Sequence, residues 1–114
     1  MKNLITNVGK CKIVTTMVWS EWWNYRQDMI RTDRNEFGVF ELADDNETTL
    51  FIGSGKVKTK LLEHLKKNDY PLATRYRIDC CETEESSRAK AKHLLEAYKA
   101  VRDGKLPLYN EKTT

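Results

Sequence analysis

The chain has 114 residues, 39% of them hydrophobic, which is enough for one compact core and too few for two ordinary domains. Lys and Arg number 20 against 17 Asp and Glu, so the net charge of +3 is a small difference between two dense populations, which argues against a strongly basic nucleic-acid-coating arm. Apolar runs such as Met17-Val18-Trp19 fall far short of the roughly 20 residues that cross a bilayer, and the N-terminus lacks a secretory apolar run of roughly 7 to 15 residues, so the expectation is a cytoplasmic protein with no membrane partner.

In chain order, residues 1–10 read as loosely ordered. Residues 13–18 fit either an extra strand or an extended segment. Ser20 is read as the cap of a short helix bearing Trp19, Trp22, Trp23, Met29 and Ile30, which would pin that helix to the core. The runs from Phe37 to Ala43 and from Thr49 to Gly53 are β-prone, and Asp44-Asp45-Asn46-Glu47-Thr48 between them is turn chemistry, so a hairpin is predicted. Along the first run Phe37, Val39 and Glu41 share one face, and Gly38, Phe40 and Leu42 the other, with both faces partly covered.

After Gly53-Ser54-Gly55 the period changes. Val57, Leu61, Leu62 and Leu65 have helical spacing, with Ser54 as the N-cap or part of a phosphate cradle and an end near Asn68. Thr74 to Cys80 alternates again, with Tyr76, Ile78 and Cys80 facing inward and Arg75, Arg77 and Asp79 on a wet face, where the arginines extend a basic surface or pair with Glu41 or Asp79. Glu84 to Arg102 is the clearest helix, with Ala91, Leu94, Leu95, Tyr98 and Val101 on one side; Gly104 and Pro107 mark its stop. The sum is one α+β domain, a small three-stranded sheet flanked by helices, with residues 11–36 as an N-terminal extension and 37–110 as the core.

Three cysteines, Cys11, Cys80 and Cys81, have no C-x-x-C spacing, and the vicinal pair is too close for an ordinary bridge, so free thiols are expected. His64 and His93 fall on separate helices, and no zinc-ligand spacing includes them. Charge is unevenly spread: residues 35–54 hold five acids and no base, whereas residues 55–68 hold five lysines and one acid. An acidic hairpin therefore precedes a basic helix, on which Lys56, Lys60, His64 and Lys67 form one stripe.

The triplets Gly38-Val39-Phe40 and Phe51-Ile52-Gly53, ten residues apart, resemble the signature of the GIY-YIG nuclease family. The resemblance continues through Lys60-Leu61-Leu62-Glu63-His64, a third strand, a second long helix and Pro107-Leu108-Tyr109-Asn110. It implies a scaffold for metal-dependent hydrolysis of a DNA phosphodiester, with two tyrosines, an Arg and a nearby His, a metal-binding Glu and an Asn around the scissile phosphate. Here the tyrosine positions are Phe40 and Phe51, which lack the hydroxyl that relays a proton. The Arg position is Lys60, a point charge without the bidentate fork. The Glu position, three residues before Leu94-Leu95, is Ala91, and Glu96, five residues on, lies about 140° away around the helix. His64 and Asn110 are kept.

The expectation is a degenerate relative that binds DNA or RNA backbone through Ser54, Lys56, Lys60, His64 and Lys67, with no catalytic residue assigned and no cofactor. Mg²⁺ enters only if the alternative holds, a working nuclease with a rearranged site. A further alternative is a protein-interaction module using the Trp-rich segment, which requires exposed tryptophans.

Overall fold

The computed structural model describes residues 19–112, so the expectations for residues 1–10 and 13–18, and for Cys11, lie outside the described residues. Within them run β1 (Trp23–Asn24), α1 (Gln27–Ile30), β2 (Phe37–Ala43), β3 (Thr49–Lys56), α2 (Val57–Lys67), β4 (Arg75–Cys80), α3 (Glu84–Ala100) and α4 (Leu108–Lys112). The fold is α+β. Its sheet has four strands in the order β1-β4-β2-β3, all paired antiparallel, where the sequence predicted three.

The fourth strand comes from the tryptophan segment. Trp23 pairs with Tyr76 and Asn24 with Arg75, and Ser20 and Tyr25 bond the backbone of Ile78 and Thr74 on either side. The expected Trp-rich helix is thus replaced by extended chain, and helix is confined to the single turn of α1. The physical reason is that Trp22 and Trp23 must reach opposite faces of the sheet, as neighbours in a strand do and neighbours on a helix do not. Trp23 meets the Tyr76 ring edge-on, whereas Trp22 lies over Arg77. Ser20 caps no helix: its hydroxyl accepts the Ile78 amide and its own amide donates to the Ile78 carbonyl.

The hairpin forms as expected but runs further. β3 continues through Gly53-Ser54-Gly55 to Lys56, pairing Val39 with Ser54, Gly38 with Gly55 and Phe37 with Lys56. Ser54 is therefore a strand residue rather than an N-cap. Helix α2 starts at Val57 from an extended Lys56 that supplies no side-chain cap, and ends at Asn68 in the left-handed conformation, φ 55°.

Helices cover both faces of the sheet. Phe40, Leu42, Phe51, Tyr76 and Ile78 face Val57, Leu61, Leu62 and Leu65 of α2, together with Ile30 of α1. Val39 and Ile52 face Ala91, Leu94 and Leu95 of α3, with Trp19 beside them. The face of β4 expected to be wet is covered. Asp79 is buried and meets Lys90 Nζ at 3.1 Å, and Arg77 meets buried Glu41 at 2.8 Å while its guanidinium lies between the rings of Trp19 and Trp22, at 4.5 and 4.3 Å. Ionic groups are tolerated in such places only when paired and hydrogen-bonded, and Glu41 also accepts from the Thr49 hydroxyl.

Helix α3 begins with a capping box between Thr83 and Ser86. It ends at Ala100, so Val101, expected on the core side, falls beyond its last turn and is 73% exposed. Gly104, at φ 79°, donates to the Lys99 carbonyl and turns the chain. Among the described residues no helix is long and apolar enough to cross a membrane.

Candidate nucleic-acid interface

The positions that carry the nuclease resemblance divide between the two faces of the sheet. Phe40 and Phe51, with ring centroids 5.9 Å apart, lie on the α2 face, and Phe40 is only 1% exposed. Ala91 is buried on the α3 face against Val39 and Ile52. The glycines of the two triplets have packing reasons of their own. A Cβ on Gly38 would stand 2.6 Å from the Asp79 carbonyl oxygen, and one on Gly53 would stand 2.6 Å from the Phe40 ring.

His64 leaves the lysine stripe. Its ring lies among Phe40, Phe51 and Tyr70, at centroid distances of 6.0, 5.9 and 4.9 Å, and its Nδ1 meets Asp69 Oδ2 at 2.9 Å. Asp69 also donates its backbone amide to the His64 carbonyl, so this pair closes the C-terminal turn of α2. Tyr70 stacks on Phe51 at 4.5 Å and continues to Tyr109 at 5.0 Å. Burial, with the nearby charge of Asp69, pushes the Tyr70 hydroxyl up to about 12. Tyr25 is raised further, mainly by burial, and its hydroxyl is buried with no hydrogen-bond partner among the described residues. Sequence reasoning missed Asp69 and Tyr70, which lie past the left-handed Asn68 that turns the chain back on His64, and Tyr25, which comes from a segment far off in the chain.

Asn110 sits at the outer edge of β3. Its Oδ1 accepts the Ile52 amide at 2.9 Å and its Nδ2 donates to the Ile52 carbonyl at 3.0 Å, so the side chain imitates one residue of a neighbouring strand. The backbone groups of Ile52 accordingly point away from β2. With period two, those of Ser54 point the same way. Among the described residues no side chain bonds Ser54, and none of them covers the edge beyond Asn110.

Cations gather on both sides of this open stretch. On the α2 side, Lys60 lies against Gly55, with its Cε 3.2 Å from where a Cβ would stand, whereas Lys56 falls on the other face of the sheet, its ammonium 5.2 Å over the Phe37 ring of β2. Lys67, at the far end of α2, is exposed. On the α3 side, a groove of about 440 Å³ is floored by Ile52, Ala91 and Leu95, reaches Ser54, and is rimmed by Arg88, Lys92 and Lys99. Arg88 pairs loosely with Glu84 at 3.4 Å. Glu96, rotated away from Ala91 on the helix, nevertheless reaches the rim of the same groove, as its one acid among the described residues. Residues 88, 92, 95 and 99 recur at helical spacing, a pattern present in the sequence that reads equally as a solvated face.

Among the described residues no group of three or more His, Cys, Asp or Glu converges as a metal set. Cys81 is a free thiol, and burial raises it against the opposing pull of Lys90. The tryptophans are half-buried against Arg77 and Tyr76 rather than free. A family model described as Domain of unknown function (DUF7508) matches residues 17–101. No curated protein matches the chain, and no solved structure matches it.

Proposed function

We propose that this chain, which belongs to the DUF7508 family, is a GIY-YIG-like domain that binds nucleic acid, DNA in the first instance, without efficient hydrolysis. The observation that carries the reading is the convergence of Lys60 from one side, and Arg88, Lys92 and Lys99 from the other, on the edge of β3 that the described residues leave uncovered, with Lys56 at the end of that strand. Cations along such an edge suit a phosphate backbone that runs along it, and each phosphate neutralised releases counterions. Ser54 supplies the polar centre of that edge. Lys67 extends the track, whereas His64 supports it from within by holding the end of α2.

Hydrolysis is left out because the two hydroxyls and the carboxylate that the family's chemistry uses are replaced by Phe40, Phe51 and Ala91. The reading includes a cytoplasmic location, in keeping with the free thiol of Cys81. Fluorescence anisotropy with labelled duplex DNA across a salt series is the test. Binding is expected at low salt, and Lys60→Ala and Lys92→Ala should each flatten the log–log salt slope by about 1. No binding at low salt ends the proposal, and Mg²⁺-dependent nicking of a plasmid above a Lys60→Ala control would replace it with the nuclease reading.

A further inference from the structure

We infer that the groove between β3 and α3 receives the base of an unpaired nucleotide, so that the preferred ligand is single-stranded rather than duplex nucleic acid; the inference rests on the nucleic-acid reading above. A phosphate backbone alone needs only the cationic rim. It has no use for the apolar floor of Ile52, Ala91 and Leu95, which a duplex, presenting sugar and phosphate, would leave uncovered. An unpaired base has two apolar faces to lay on such a floor and a phosphate to place among Arg88, Lys92 and Lys99.

Size agrees with that occupant. About 440 Å³ lies in the range of small-ligand sites, roughly 300 to 1,000 Å³, and exceeds what a lone phosphate fills. Charge agrees as well, with three cations and one acid on the rim among the described residues. Among the described residues no aromatic side chain lines the groove, so the planar guanidinium of Arg88 is the group there able to stack on a base face while the two lysines act as point charges. Polarity completes the match. The backbone amide and carbonyl of Ser54 face the open edge, one donor and one acceptor, as the edge of an unpaired base requires.

The test is an amide-resolved NMR titration of the wild-type chain with thymidine 5′-monophosphate, thymidine and inorganic phosphate, alongside anisotropy with an oligothymidylate and its duplex. The monophosphate should bind at least about tenfold more tightly than either fragment, shifting the amides of Ile52, Ser54 and Leu95, and the single strand should outcompete the duplex. The exposed change Lys99→Glu should remove the preference for the monophosphate while leaving thermal melting unchanged. Equal affinity for the monophosphate and inorganic phosphate, or shifts confined to other amides, would overturn the inference while duplex binding at low salt left the general reading standing. If neither strand form binds, both readings fall together.

Discussion

Gly38 and Gly53 show how single positions bear the resemblance without bearing chemistry. Gly38 lets β2 and β4 approach until a methyl group would touch the Asp79 carbonyl oxygen and the Cys80 Cα, neither of which can move without the strand. Gly53 makes room for the Phe40 and Phe51 rings, which can rotate. Gly38→Ala is therefore expected to destabilise more than Gly53→Ala, whose cost should fall within the roughly 1 to 3 kcal/mol typical of overpacking. Urea unfolding of the two variants gives the comparison, and equal midpoints would contradict it. These glycines were visible in the sequence as part of two triplets, but their reasons were not, since each depends on a side chain or carbonyl from another strand. The same limit applied to His64. Its place on one helical face was legible, whereas the Asp69 carboxylate and Tyr70 ring that turn it inward lie past a left-handed Asn68 that spacing alone cannot position.

Strand and helix types came through the alternation of β2 and β4 and the 3.6-residue rhythm of α2 and α3. Two elements did not. Trp19, Trp22 and Trp23 are spaced as on a helix, and only pairing with β4 reveals the extended chain. Gly53-Ser54-Gly55 has the composition of a turn, yet with Gly38 opposite Gly55 the ladder runs on for three pairs beyond Gly53. The short helix α4 was also invisible as a helix, although its Asn110 was noted, and its role is clear from the paired bonds to Ile52. Asn110→Ala should leave the buried Ile52 amide and carbonyl without these partners, costing about 1 to 3 kcal/mol and speeding hydrogen exchange at Ile52 ahead of the centre of the sheet. Unchanged exchange at Ile52 would show that the Asn110 side chain is not what protects it.

At the scale of the molecule, the core on the α2 side is unusually rich in tyrosine: Tyr25, Tyr70, Tyr76 and Tyr109 are all buried. Burial raises Tyr25, Tyr70 and Tyr76, with Asp33 accepting from the Tyr76 hydroxyl at 2.6 Å. A proton held more tightly in the folded chain than in the unfolded one, where tyrosine titrates near about 10, adds stability below that pH and loses it as pH rises through the folded value. Tyr70, at about 12, places the loss for that residue between those limits. The chain should therefore unfold cooperatively as pH climbs past about 10, with tyrosinate absorbance and circular dichroism changing together. Ionisation of Tyr70 in a chain that keeps its circular dichroism would refute the coupling.

The sheet's two margins carry a last consequence. One is a strand of two residues, and the other is interrupted at Ile52 by the amide of Asn110. What stays uncovered, from Ser54 to Lys56, is too short to template a second sheet and is flanked by lysine, which disfavours edge-to-edge stacking of copies. The same interruption that shortens the free edge also disfavours aggregation of copies.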